Sequence, residues 1–402
     1  MTSHLPPAAR PTADGASPTI TWAAAGMLGL LPFSTDAYLT AMVDLGRDFG
    51  VAVEGVQRTM LAFTFGFALA HLFVGRLADR FGRRPVALAG VAVYLAAAVA
   101  AVVAPSLGLL VVARFVQGAA AACGPIVART LIRDTVAPEN SGRALSKVGA
   151  LFAISPLVAP FVGTFAAEIA GWRGTLATLV VYAAVLGLAL ALRLPETRPT
   201  TLHGAERVSI LRALAHCVRT RAFVVGCLAV ATGYGVLYAW LTTSAFLMIG
   251  ELGYSKFEAT MVYTAGAVGF LAGGMIAMRL ARRLSPARVL RFAAAAMVLG
   301  TLVPLALAAS GHHHWVLMLV TLFPYYVGWG LAQPMATAIA MRPFPQMAGQ
   351  ASAWLGIAQQ VGGMGFAIVA AQLGGGIVTL VVMAVAAVAF TAVVLPAERV
   401  AA

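Results

Sequence analysis

Between two apolar runs the chain reads Gly75-Arg76-Leu77-Ala78-Asp79-Arg80-Phe81-Gly82-Arg83-Arg84-Pro85. Five of these eleven residues are charged, whereas neither 59–74 before them nor 86–104 after them carries an Asp, Glu, Lys or Arg. Runs of about twenty apolar residues match the length needed to cross ~30 Å of hydrocarbon. A short charged connection between two of them is a tight turn at a membrane surface. Gly75 and Gly82 permit close helix approach and unusual dihedrals. Asp79 can face neighbouring arginines or the positive N-terminus of a helix.

The same alternation runs through all 402 residues, of which 61% are hydrophobic and 10% charged. A soluble domain carries roughly 25% charged residues. That composition excludes a cytosolic enzyme, a secreted disulfide scaffold and a single-span receptor. The apolar runs predict twelve helices: 20–43, 55–75, 86–104, 108–132, 143–168, 173–193, 221–250, 258–280, 287–310, 315–340, 349–373 and 375–395. The expected fold is therefore an all-α polytopic membrane protein. The net charge of +13 would suggest nucleic acid in a soluble chain. Here the basic residues crowd into alternate loops, the positive-inside pattern, which reports topology and places both termini in the cytoplasm. Cys123, Cys217 and Cys227 show no metal-ligand spacing, so no metal site and no structural disulfide are expected. Residues 1–18 lack an apolar core and read as a flexible cytoplasmic tail rather than a cleavable signal.

The longest polar connection, 194–220, divides the chain into six-helix halves over 19–193 and 221–396, with a short cytoplasmic terminus at 397–402. Paired halves with the substrate site at mid-membrane are a construction of secondary transporters. Basic clusters recur in the second connection of each half, at Arg76 to Arg84 and at Arg279 to Arg288. No phosphate-binding loop or hydrolase motif is present. Uphill movement would draw on an ion gradient with no cofactor.

Asp36 is the only carboxylate deep within an expected span, where a charge costs at least ~2.5 kcal/mol. It lies about 10 Å below the far end of the first helix, and Arg114 about 9 Å below that end of the fourth, at 1.5 Å per residue. The two charges thus share a depth. One reading is a static ion pair that fixes helix packing. The other is a titrating carboxylate: burial disfavours its charge, the Arg favours it, and an arriving substrate tips the balance to release a proton.

The 75–85 stretch resembles the loop between helices 2 and 3 of the major facilitator superfamily, matched at Gly75, Asp79, Arg80, Gly82 and Arg83. Leu110-x-x-x-Arg114-x-x-Gln117-Gly118 resembles that superfamily's helix 4 motif, centred in proton-coupled members on a buried Arg. Within it the chain is most similar to the bicyclomycin-resistance and chloramphenicol-efflux (Bcr/CflA-like) drug:proton antiporters, through Pro32-Phe33-Ser34-Thr35-Asp36-Ala37-Tyr38-Leu39, Arg133-Asp134, Gly171-Trp172-Arg173 and Leu194-Pro195-Glu196-Thr197. The resemblance implies two six-helix bundles, alternating access, and export of small lipophilic drugs against protons. It also implies that Asp79 locks the outward-facing state through contacts with cytoplasmic helix ends, with Arg133 among its partners. The helix 5 motif of exporters corresponds to Ala159-Pro160-Phe161-Val162-Gly163-Thr164, with Pro156 one turn earlier. Two positions depart from the family pattern: Thr40 stands where Pro is usual, and Thr164 where a second Gly is usual.

Tyr234 and Tyr238, at i and i+4, share a helix face. Tyr325, Trp329 and Gln333 in the tenth span, and Trp354 and Gln359 in the eleventh, add aromatic and amide groups suited to an apolar, weakly discriminating pocket. Gln117 and Tyr38 complete the candidate set, although Tyr38 lies ~200° from Asp36 on a continuous helix. His71 reads as a hydrogen-bonded packing residue, and the His312 to His314 tract as a loop rather than a metal site. The function expected is proton-coupled efflux of amphenicol- or bicyclomycin-like compounds, neutral or singly charged, by a monomer in a bacterial inner membrane. The partners are a small molecule, protons and lipid. The alternatives are a proton-coupled importer of a metabolite on the same fold and a sensor or scaffold that transports nothing.

Overall fold

The computed structural model describes residues 17–198, 215–344 and 347–395. All but the last two residues of the tail expected over 1–18, most of the 194–220 connection and the 397–402 terminus fall outside these, and Ser17 and Pro18 already cap and open the first helix. Among the described residues every long element is a helix and none is a strand. In chain order they are α1 (Pro18–Asp36), α2 (Met42–Phe49), α3 (Val53–Phe81), α4 (Arg83–Val102), α5 (Leu107–Ala121), α6 (Cys123–Thr135), α7 (Pro138–Phe152) and α8 (Ile154–Arg193). The second half supplies α9 (Arg221–Ala245), α10 (Lys256–Leu280), α11 (Pro286–Ala309), α12 (Trp315–Met341), α13 (Ala348–Gln372) and α14 (Val378–Val394). Among the described residues nine helical stretches are long and apolar enough to cross a membrane; α14 is a shorter apolar helix.

Three of the twelve expected spans are not continuous, and proline explains two of the breaks. A proline ring opposes the carbonyl four residues earlier. Pro125 thereby ends α5 at Ala121, and Pro156 ends α7 at Phe152. The first span, expected over 20–43, is corrected too. It stops at Asp36, four residues past Pro32, passes through a 3₁₀ turn at Leu39–Ala41, and resumes as α2. It runs on to Gly50, whose φ of 60° ends the helix in the left-handed region. The fifth and sixth spans are one long element, α8, turned at Gly171 with φ 61°. With that turn as a boundary, and α1 with α2, α5 with α6 and α7 with the start of α8 as broken spans, the described residues make twelve passes.

The helices form two compact units. One contains residues 17–38, Ala62–Val162 and 169–198; the other contains Leu39–Leu61, Gly163–Glu168, 215–344 and 347–395. The far ends of the first, second and fifth spans, opposite the Arg-rich loop, therefore pack with second-half helices rather than with their own half. Within the first unit α3 and α5 cross at glycines. A Cβ on Gly66 would run into the Phe115 carbonyl, and one on Gly118 into that of Phe63. Small residues of this kind let membrane helices approach backbone to backbone, and this crossing presses Phe63 against the site described next.

Candidate functional site

Arg114 is fully buried in α5. Its guanidinium donates to the Ser34 carbonyl at 3.0 Å and to Gln117 Oε1 at 2.7 Å. The rings of Tyr38 and Phe63 lie against it, at 4.7 and 4.6 Å from Cζ to ring centroid. Ser34 Oγ is hydrogen-bonded to the Tyr94 hydroxyl. A buried cation held by two acceptors and two ring faces is fixed in position, since a desolvated cation–π contact is worth ~2 kcal/mol. The Ser34 carbonyl lies in the last turn of α1, where carbonyls lack an intrahelical donor, and so is open to the guanidinium.

Asp36 is the last residue of α1 and half-buried; its Oδ1 accepts from Thr35 Oγ1 at 2.9 Å. Tyr38 lies against Arg114 together with Ser34, four residues earlier, the spacing that places two residues on one helix face. Ser34 and Tyr94 are members of this cluster that the sequence did not single out.

At the Arg-rich end Arg83 is the centre. It is 1% exposed, and its Nε lies 2.7 Å from Asp134 Oδ2, itself 3% exposed. Its guanidinium also pairs with Asp79 at 3.1 Å, a carboxylate 55% exposed, and donates to the Ala78 carbonyl at 2.9 Å. Asp79 is thus tied to Arg83 on its own turn, while the exposed Arg133 lies 3.4 Å from Asp134 Oδ1. Glu196 accepts the backbone N–H groups of Arg83 and Arg84 at 2.9 and 3.2 Å, at the N-terminus of α4 where a carboxylate is favoured. Arg84 and Arg198 in turn donate to the Ala191 and Arg80 carbonyls, each at 2.9 Å. Asp134 and Glu196 are the anchoring acids. They stood in the quoted stretches, but nothing in their local spacing gave them this role.

Gly82 has φ 103°, and a Cβ there would lie 2.5 Å from Glu196 Oε2. Gly82→Ala is expected to destabilise the purified protein by about 2 kcal/mol, the strain of a side chain at positive φ plus a displaced carboxylate. A thermal unfolding midpoint equal to that of the native protein would refute this.

In the second unit Tyr234 and Tyr238 stack with centroids 5.6 Å apart, and Trp329 lies 6.4 Å from Tyr234. The Tyr325 hydroxyl donates to the Gly233 carbonyl at 3.5 Å, and its ring lies 5.1 Å from that of Tyr326. The Tyr238 hydroxyl donates to the Met60 carbonyl at 3.2 Å. Four of the candidate aromatics therefore form one cluster between α9 and α12. Tyr238, Tyr325 and Trp329 are buried in it and only Tyr234 is half-buried. Gln333, Trp354 and Gln359 are half-buried on α12 and α13.

Thr40 and Thr164 meet. Thr40 Oγ1 lies 2.9 Å from Thr164 Oγ1, which lies 2.6 Å from Thr260 Oγ1 on α10. The last of these donates to the Lys256 carbonyl. Beside them Lys256 Nζ is paired with Asp44 at 2.5 Å. Gln57 Nε2 donates to Thr242 Oγ1 at 2.9 Å and to the Ala367 carbonyl at 2.7 Å. Proline at 40 or glycine at 164 could make no such chain. Thr164→Val leaves two buried hydroxyls short of a partner and is expected to cost about 1–3 kcal/mol in unfolding experiments. Thr164→Ser, which keeps the hydroxyl, should restore most of it.

Pro156 and Pro160 lie in α8 beside the break at Ala153, and Gly163 opens the short segment that packs with the second unit. Gly75 sits within α3, where a Cβ would meet nothing within 4 Å. His71 Nδ1 is hydrogen-bonded to the Phe67 carbonyl at 2.9 Å. His314 caps α12 by accepting from the Val316 N–H. Among the described residues no group of three His, Cys, Asp or Glu is placed to hold a metal ion.

A twelve-pass helical chain with a buried Arg cluster in one half and an aromatic cluster in the other belongs to the class of membrane transporters. The comparisons agree. The sequence profile of the Major Facilitator Superfamily matches residues 24–367. Multidrug resistance protein D of Escherichia coli (strain K12) is 30% identical over 336 residues, covering 84% of each chain. A bicyclomycin resistance protein homolog of Haemophilus influenzae is 26% identical, covering 82% of this chain and 83% of that one. Among solved structures a D-xylose–proton symporter superposes with TM-score 0.73 at 15% identity, covering 92% of this chain and 96% of that one, which speaks to fold alone. The chain belongs to the major facilitator superfamily: it is a secondary transporter of the bacterial inner membrane and not an enzyme.

Proposed function

We propose that the chain is a drug–proton antiporter that exports small lipophilic compounds, neutral or singly charged, as a monomer and without a cofactor. The observation that carries this is the placement of Asp36: the one carboxylate of α1 ends a broken helix, two residues past the carbonyl that holds Arg114. Discontinuous helices at mid-membrane are where transporters bind ions and substrates. The names of the relatives, which are drug-resistance proteins, favour export of antibiotics of the amphenicol or bicyclomycin type.

In this reading both termini and the Arg83 cluster face the cytoplasm. The substrate enters from that side toward the aromatic cluster around Tyr234, Asp36 gives up its proton, and the far end then opens. Opening requires Thr164, Asp44 and Gln57 to leave Thr260, Lys256 and Thr242. A gradient of ~150 mV is worth roughly 3.5 kcal/mol per proton exchanged, a few-hundred-fold accumulation ratio.

The test is uptake of labelled chloramphenicol and related amphenicols into inverted membrane vesicles with an acidic interior. Accumulation that collapses when the gradient is dissipated supports export. Accumulation only in right-side-out vesicles would make the protein an importer.

A further inference from the structure

Outside these clusters the first unit carries a groove of about 610 Å³ on its outer surface, formed by α3, α4 and α5. Phe73, Leu77 and Phe81 of α3, Val93 of α4 and Val116 of α5 line it, and all five are exposed. Its floor is made of small residues, Ala89, Gly90 and Ala119 among them, which is why a hollow exists there at all. The lining holds no charged, amide or hydroxyl side chain; its most polar group is the Cys123 thiol. From Ala70 to Phe81 the groove follows α3 for ~16 Å at 1.5 Å per residue. That is close to the ~15 Å depth of one leaflet's hydrocarbon.

All the charge lies at one end. The Arg76 guanidinium sits over the Phe73 ring, 5.4 Å from its centroid, and that of Arg80 over the Phe81 ring at 5.2 Å. Both rings line the groove. Both arginines are exposed, and among the described residues neither is in an ion pair, because the carboxylate between them, Asp79, is turned to Arg83. A site for a drug-sized molecule places a few polar groups within an apolar pocket. This one separates them: hydrocarbon along its length, two cations at its mouth.

We infer that the groove is a binding site for an anionic phospholipid of the leaflet that faces the Arg-rich loop. One acyl chain lies between α3, α4 and α5, and the headgroup phosphate rests between Arg76 and Arg80. Guanidinium groups take phosphate oxygens in charge-assisted pairs. Each basic residue near a membrane surface adds a similar increment to anionic-lipid affinity, so two of them should favour an anionic over a zwitterionic headgroup by about thirtyfold.

The test is native mass spectrometry of the full-length protein, delipidated in mild detergent and then titrated with dioleoyl-phosphatidylglycerol against dioleoyl-phosphatidylcholine. The native protein should retain one phosphatidylglycerol with that preference. The double variant Arg76→Gln/Arg80→Gln should bind both lipids alike. Ala89→Phe, which fills the groove from an exposed position, should lose the retained lipid of either kind, with the melting temperature of each variant as the control for folding. Equal retention of the two lipids by the native protein would overturn the site. So would a retained lipid unaffected by Ala89→Phe. Displacement of the lipid by chloramphenicol at equal strength in the native and Arg-less proteins would reassign the groove to substrate.

Discussion

Asp36→Asn should abolish proton-coupled transport while leaving the protein folded. Asn has the shape of Asp, and its Oδ1 can still accept from Thr35 Oγ1, the bond that holds the native side chain. What it cannot do is change protonation. Purified native protein titrated with a transported amphenicol in weakly buffered detergent should release protons; the variant should release none. In vesicles its accumulation ratio should fall from a few-hundred-fold to near unity, since no step then draws on the gradient. Normal transport by Asp36→Asn would end the assignment. Arg114→Lys is the companion. A lysine is a point charge without the planar fork that reaches the Ser34 carbonyl and Gln117 together while lying against two rings. Coupling should weaken in it even though the charge is kept.

Asp134→Ala should destabilise the protein far more than Asp79→Ala, although Asp79 is the acid of the motif. Arg83 is buried, and Asp134 is its buried partner; removing that acid leaves a desolvated guanidinium with the exposed carboxylate of Asp79 as its one counter-charge among the described residues, beside the Ala78 carbonyl. Breaking a buried pair from one side costs about 3–5 kcal/mol. Deleting Asp79 removes a largely solvated pair worth about 1 kcal/mol or less. Denaturant unfolding of both variants in the same detergent measures the difference. Equal losses would show that Asp79 carries more of the cluster than its exposure allows. A transport defect in Asp79→Ala without loss of stability would mark its contribution as conformational.

The spans were legible because twenty apolar residues between charged loops admit almost one solution in a bilayer. Their interruptions were not read: the expected spans 108–132 and 143–168 run straight through Pro125 and Pro156, and Ala122 and Ala153, where the breaks fall, are good helix formers that announce nothing. Partnerships across sequence were not legible. Thr40 and Thr164 stand 124 residues apart and each reads singly as a departure from a family pattern; only the fold shows that the two departures satisfy each other. Asp134 and Glu196 were passed over for a related reason. Acids beside loops are common, and what distinguishes these two is burial or the number of donors they collect.

Glu196 collects four backbone N–H groups: those of Arg83, Arg84, Thr197 and Arg198, between 2.9 and 3.2 Å. Two come from the start of α4 and two from the strand of chain leaving α8. One side chain thus rivets the entry to the third span to the exit of the sixth, and Gly82 leaves the clearance for the rivet head. Substitutions at 82 and 196 should consequently not add in a double-mutant cycle, because once either fastening is lost the other has nothing left to hold.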